Sequence, residues 1–222
     1  MAAEAAIFDV DGTLVDSVDL HARAWQEAFA HFGHRIAFEA VRTQIGKGGD
    51  QLMPVFLSQD EVALRGKTIE AYRAELWKRD YMKQVRAFPE VRELFQKILR
   101  RGVRVALASS AKADELEVYK QIAGIDDLVE TETSADDASR SKPHPDIFAA
   151  ALKRLGTPAD RAVVVGDTPW DAIAARKAGV RPVGVLCGGF PEADLRAAGA
   201  IAIFRDPADL LSRLDDSPLL GG

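Results

Sequence analysis

The sequence predicts an α/β fold, an open parallel sheet with helices on both faces, interrupted once by a block of helices. Three observations predict it. Five short runs are near-continuously apolar and partly β-branched, the pattern of strands covered on both faces. Amphipathic helical stripes lie between them, so strand and helix alternate. One long stretch, from Ser17 to Phe88, breaks that rhythm and carries helical signals alone.

The elements follow in order. Ala5–Val10 is the first strand. Within the long stretch Trp25, Phe29 and Phe32 share one helix face, and Ile69, Tyr72 and Leu76 another. Gly46–Gly49 and the loop near Pro54 separate the helices. The block is too long for a simple crossover. It is expected to be a small helical domain, residues 17–88, inserted into a core made of residues 1–16 and 89–222. The core resumes with Val91, Leu94, Phe95, Ile98 and Leu99 at helical spacing, with Gly102 as the expected C-cap. Strand Val103–Ala108 follows. Phe148, Ala151, Leu152 and Leu155 repeat the helical stripe and Gly156 closes it. Ala162–Gly166, Pro182–Leu186 and Ala200–Phe204 complete the strands, and Ser217–Gly222 reads as a frayed end.

Composition excludes several function classes. With 47% hydrophobic and 28% charged residues, the 222-residue chain has the balance of a packed domain, not of a disordered one. A net charge of -5 and the lack of a Lys/Arg cluster leave no basic face for nucleic acid. No apolar run reaches membrane-spanning length, and MAAEAAIFDV lacks the positive start of a secretory signal. The single Cys187 forms no internal disulfide, which suits a reducing cytosol. The expectation is a soluble cytoplasmic protein without membrane or nucleic-acid partners, a monomer by default with a homodimer as the alternative.

The chemistry gathers at strand ends, where open α/β sheets bind their ligands. The first strand runs into Asp9-Val10-Asp11-Gly12-Thr13, and Gly12 permits a sharp turn. Alone, this reads equally as an Asp-rich turn. The pattern recurs, however: Ala162–Val165 runs into Gly166-Asp167, with Asp171 four residues on if a helix begins at Pro169. Val103–Ala108 ends in Ser109-Ser110, two hydroxyls read as lying at a helix N-terminus with free backbone amides, a seat for phosphate. Lys142 precedes Pro143 in the loop before the next helix. Carboxylates alone would repel one another in a partly dry site. Hard oxygen ligands with one Lys therefore point to a divalent cation, Mg²⁺, beside a phosphoryl group.

Asp9-x-Asp11-Gly12-Thr13, Ser109, Lys142 and Gly166-Asp167-x-x-x-Asp171 together resemble the four ordered motifs of the haloacid dehalogenase superfamily. The match spans nearly the whole chain. Ser141-Lys142-Pro143-His144-Pro145-Asp146, Asp16-Ser17 and the position of the helical insert resemble its phosphoglycolate phosphatase and β-phosphoglucomutase-like branch. The resemblance implies a Rossmann-like core under a helical cap and a Mg²⁺-dependent phosphatase of small phosphorylated metabolites. It implies Asp9 as nucleophile forming an aspartyl-phosphate, and Asp11 as acid and then base. Crowding by the other carboxylates is expected to favour the protonated form of Asp11. Mg²⁺ would be held by Asp9, the Asp11 main-chain carbonyl and Asp167, with Asp171 and Thr13 behind them. Ser109 and amides near Ser110 would bind phosphate, and Lys142 would offset the charge on Asp9. An acid at position 11 suits an ester oxygen leaving group rather than a halide. A sugar phosphomutase shares every core residue and stands as the alternative.

Weaker signals keep two readings. Gly46-Lys47-Gly48-Gly49-Asp50 is no P-loop, for the Lys-Ser/Thr ending is missing. By resemblance Lys47 reads the substrate; otherwise it is a solvated Lys in a flexible turn. His21 is either a mutase-type closure residue or one that plain phosphatases tolerate. The Lys78-Arg79 pair reads as a solvated face, and His31, His34 and His144 as surface or loop residues without metal-ligand spacing. Cys187 reads as a small buried apolar residue, and Trp170 as a residue that packs or gates.

Overall fold

Six strands form one parallel sheet in the computed structural model, which describes residues 2–221. The strands are β1 (Ala5–Phe8), β4 (Arg104–Ala108), β5 (Thr131–Thr133), β6 (Ala162–Gly166), β7 (Arg181–Val185) and β8 (Ala202–Phe204). Their spatial order is β5-β4-β1-β6-β7-β8. The chain builds outward from β1 on one side, then returns to build outward on the other. β1 is thus the switch point: Ile7 pairs with Ala106 of β4 and Val164 of β6. A crevice opens beyond the carboxyl ends of these three strands.

Both faces of the sheet are covered. Helices α5 (Val91–Arg100) and α6 (Ala113–Ala123) pack on one, where Phe8, Val105, Leu107, Val163 and Val165 meet Leu94, Phe95 and Leu116. Helices α7 (Asp146–Leu155) and α8 (Pro169–Lys177) cover the other, where Ile7 and Val164 meet Phe148 and Ala174. Two-sided burial is why these strands read as continuous apolar runs. Helices α9 (Glu192–Ala198) and α10 (Pro207–Ser212) flank the last strands.

Between β1 and α5 lie α1 (Val18–His31), α2 (Phe38–Arg42), α3 (Gly49–Leu52) and α4 (Gln59–Leu76). Trp25, Phe29, Val41, Leu52 and Ile69 form a separate apolar cluster of their own. Their entry and exit are stitched by a small antiparallel ribbon, β2 (Val15–Asp16) with β3 (Arg86–Ala87).

The structure corrects the sequence reading at three places. β3 stands in the stretch read as strand-free, because two-residue strands carry no periodicity to detect. β5, Thr-Glu-Thr at a sheet edge, has no apolar run and escaped notice. The end is not frayed through Ser217–Gly221: Ser217 and Leu219 are fully buried, and Ala3 N donates to Leu219 O at 3.1 Å. Gly222 lies outside the described residues. Among those described, no helix is long and apolar enough to cross a membrane.

The sheet centre sets the stability. Ile7→Ala removes a fully buried side chain and is expected to cost about 2–5 kcal/mol. Leu64→Ala, at a side chain that is 77% exposed, is expected to change stability by about 0.5 kcal/mol or less. Urea unfolding of the two variants checks the contrast.

Candidate active site

The ends of β1, β4 and β6 deliver the polar groups. Past β1 the chain turns at Gly12, whose φ is 79°. A Cβ there would lie 2.3 Å from Asp167 Oδ2, so only glycine lets the first loop and the Asp167 loop meet. Thr13 Oγ1 stands 3.0 Å from Asp167 Oδ1 and 3.3 Å from Asp9 Oδ2. Past β6, Thr168 and Asp171 form a reciprocal N-cap of α8: Asp171 N donates to Thr168 Oγ1, and Asp171 Oδ2 accepts from Thr168 N at 3.0 Å. This holds Asp171 facing inward, and its Oδ1 lies 2.7 Å from Lys142 Nζ. Lys142 also pairs with Asp9 Oδ1.

These charges are buried. Asp9, Lys142, Asp167 and Asp171 are each at most 4% exposed. Burial pushes the Asp9 carboxyl up to about 7, reinforced by the charges of Asp171 and Asp11 and opposed by Lys142. Asp167 is raised too, by burial and then by Asp9 and Asp171. Burial disfavours charge on Lys142, but Asp171 and Asp9 outweigh it and hold its ammonium above the ordinary range. One lysine faces three acids.

That deficit fits a divalent cation. Asp9, Asp167 and Asp171 bring carboxylate oxygens within 4.8 Å of one another. Among the described residues Asp167 Oδ2 is buried without a hydrogen-bond partner, whereas Asp171 Oδ1 has the Lys142 ammonium at 2.7 Å and Oδ2 accepts from Thr168. Asp9 and Asp167 therefore present the available oxygen donors of a hard-cation site, and Asp171 stands behind them.

Asp11 is set apart from this group. Its Oδ1 accepts from Ser17 Oγ at 2.6 Å and lies 2.9 Å from His21 Nε2. Arg73 Nη2 approaches His21 Nδ1 at 2.9 Å. Because guanidinium only donates, Nδ1 must accept and Nε2–H points at Asp11. His21 also stacks on Trp77, with ring centroids 3.6 Å apart. Burial alone would raise the Asp11 carboxyl, yet His21, the Ser17 hydrogen bond and Arg73 hold it below its ordinary value. The expectation that crowding keeps Asp11 protonated is corrected. Its contacts are the Ser17 hydroxyl and the His21 ring, with Arg73 behind that ring.

The expectation of a free Ser109 amide at a helix N-terminus is corrected as well. The amide is not free, since Ser109 N donates to Thr133 O at 3.0 Å, and α6 begins only at Ala113. The Ser109 hydroxyl accepts from Ala111 N and lies 3.5 Å from Asp11 Oδ2. Ser110 lines the cleft, and its hydroxyl lies 3.5 Å from Gly46 O.

The segment Ile45–Gly49 roofs the cleft, a cavity of about 90 Å³. It is not a loose turn. A Cβ on Gly48 would strike Ser141 Oγ at 2.0 Å, and Ser141 N donates to Asp50 Oδ2. Lys47 Nζ donates to Gln44 Oε1 at 2.6 Å and stands 3.9 Å over the Trp170 ring. Lys78 pairs with Asp114 and Arg79 with Asp80, both well exposed. His31 stacks on Tyr72 and His34 pairs with Glu61, both away from the cleft. Cys187 is only partly buried and its Sγ donates to Gly12 O at 3.1 Å. Arg73, Glu70 and Glu115 also line the cleft and were not foreseen. Spacing gave no signal for them, since they are ordinary polar positions on helices.

The family model described as haloacid dehalogenase-like hydrolase matches residues 6–185. This chain belongs to that family. Among curated relatives, a phosphoglycolate phosphatase of Yersinia pestis is 33% identical over 186 residues, 82% of this chain and 80% of that one. A crystal structure of a hydrolase from Pseudomonas syringae superposes with a TM-score of 0.89 at 31% identity, covering 96% of this chain and 98% of that chain. A candidate β-phosphoglucomutase from Bacteroides vulgatus shares the fold, with a TM-score of 0.86 at 22% identity over 98% of this chain and 90% of that one.

The raised Asp9 carboxyl predicts proton-linked metal binding by this family member. With the Asp9 carboxyl raised to about 7, a cation that binds below that pH must displace a proton. Apparent Mg²⁺ affinity is therefore expected to rise as pH increases from 6 to 8. Calorimetric titration, or the Mg²⁺-induced shift in Tm, should show the larger effect at pH 8.

Proposed function

We propose that this chain is a Mg²⁺-dependent phosphatase of small phosphorylated metabolites, acting through an aspartyl-phosphate on Asp9. It is a phosphoric monoester hydrolase of the haloacid dehalogenase-like family. One observation carries the finer reading. The Asp9 carboxylate, oriented by Lys142 and set beside the unpartnered Asp167 oxygen, lies at the floor of a cleft roofed by helical-block residues. In this reading residues 17–88 act as a cap over the core, the β2–β3 ribbon being its tether. The reading also places the protein in the cytoplasm, where a lone Cys187 stays a thiol.

The chemistry follows from charge and position. Mg²⁺ held by Asp9, Asp167 and the Asp11 main-chain carbonyl would neutralise charge on the phosphoryl oxygens and on Asp9. Lys142 fixes the direction of the Asp9 carboxylate and balances part of its charge. An Asp9 oxygen attacks phosphorus, the ester P–O bond breaks, and the leaving oxygen takes a proton from Asp11. Water then attacks the aspartyl-phosphate, Asp11 accepts its proton, and inorganic phosphate leaves. With the lowered carboxyl seen here, Asp11 is ready to act as base. Acting as acid requires it to leave His21 and gain a proton. Ser109 and Ser110 border the phosphoryl position, and Lys47, Arg73 and Glu70 from the cap face the remainder of the substrate.

Asp9→Asn keeps the shape but supplies no nucleophile. Phosphate release is expected to fall by about 10³-fold or more, with Tm unchanged or higher because an under-compensated buried charge is gone. The assay is phosphate release from a panel of phosphorylated metabolites with Mg²⁺ and with chelator. Conversion of sugar 1-phosphates without phosphate release would favour the mutase. Turnover by pure Asp9→Asn would refute the assignment.

A further inference from the structure

Arg42 ends helix α2, on the cap side, yet its guanidinium leaves the cap. Nη2 donates to Gly188 O at 3.0 Å and Nη1 to Gly189 O at 3.4 Å, both in the core turn that follows β7. Its Nε donates to Asp19 Oδ1 of α1 at 2.7 Å, which aims the planar fork across the seam. The turn is built to receive it. Gly189 has φ of 81°, and a Cβ there would lie 2.4 Å from Arg42 Nη2. A Cβ on Gly188 would lie 1.7 Å from Asp167 Oδ2. No side chain fits either position.

The same turn is fastened on its other side, where Cys187 Sγ donates to Gly12 O at 3.1 Å. Three consecutive residues, Cys187, Gly188 and Gly189, therefore touch the Gly12 turn, the Asp167 carboxylate and a cap cation. An exposed ion pair with Asp19 alone would be worth little. Charged donors set on main-chain carbonyls of the other domain are a different matter, for they exist only while the cap is shut.

We propose that Arg42 is a closure latch, a positioning residue that ties the shut cap to the turn backing Asp167. The inference rests on reading residues 17–88 as a cap. It gives cap closure a direct mechanical link to the floor of the cleft. A shut cap presses the Gly188 turn against Asp167, and an open cap leaves that turn without its outer support. Substrate that draws the cap down is then met by a fixed Asp167 carboxylate.

Three variants test it: Arg42→Ala, Arg42→Lys and Asp19→Asn. Arg42→Ala is expected to lower kcat/KM about tenfold, the loss of one charge-assisted contact in the closed state. Most of that loss should fall in KM, because a smaller closed population weakens apparent binding. Arg42→Lys should restore part of it, and Asp19→Asn should give a smaller loss of the same kind. Small-angle scattering supplies a readout independent of turnover. With Mg²⁺ and inorganic phosphate present, Arg42→Ala should show a larger radius of gyration than the unaltered chain. Equal radii with unchanged kcat/KM overturn the latch, and so does a lower Tm with kinetics and scattering intact. If the unaltered chain releases phosphate from no ester, the phosphatase reading falls, while the scattering comparison still decides the latch.

Discussion

The arrangement of the whole site depends on a buried charge imbalance. Lys142 is the one cation on a floor that holds Asp9, Asp167 and Asp171, all of them almost wholly removed from water. Burying ions is costly unless each is paired, and one ammonium cannot pair three carboxylates. It bonds to Asp9 and Asp171 and leaves Asp167 with an oxygen that nothing satisfies. The deficit appears as raised Asp9 and Asp167 carboxyls. In the proposed reading a hard divalent cation would relieve it.

Such a floor can exist only because the backbone gives way around it. Four glycines do this from four segments. Gly12 and Gly188 press on Asp167 from the first and seventh strands' loops, and Gly166 lies where a Cβ would be 2.6 Å from Asp171. At Gly46, with φ of 97°, a Cβ would lie 2.7 Å from Thr168, the residue that caps α8 and fixes Asp171. The carboxylates occupy space that side chains would otherwise fill. The same closeness that makes them repel one another keeps water from relieving the repulsion.

Most of this was legible in the sequence for physical reasons. Strands buried on both faces write themselves as apolar runs, so β1, β4, β6 and β7 stood out, and the motif residues sit at their ends. What escaped was structure without a pattern. β5 is polar and lies at an edge, and β2 with β3 is too short for any period. Orientation escaped as well. Asp9 and Asp11 are two residues apart and look equivalent on paper. The turn at Gly12 sends one toward Lys142 and the other toward Ser17 and His21. Arg73 shows why residue type is not enough. It lies on α4, in a helix with an unremarkable polar face, and becomes part of the site only because α1 and α4 pack together.

The opposite shifts of Asp9 and Asp11 divide the labour between two like groups. Burial and its acidic neighbours make Asp9 less stable as an anion, with a carboxyl raised to about 7, and in the proposed reading a bound cation would offset that cost. Asp11 is made a stable anion by groups that come from the helical block, His21 on α1 and, through it, Arg73 on α4. Its acidity is therefore set by the position of that block relative to the core. In this structure these contacts outweigh the effect of burial on Asp11. In the proposed reading the acid step requires Asp11 to gain a proton, and the groups that oppose this belong to the helical block.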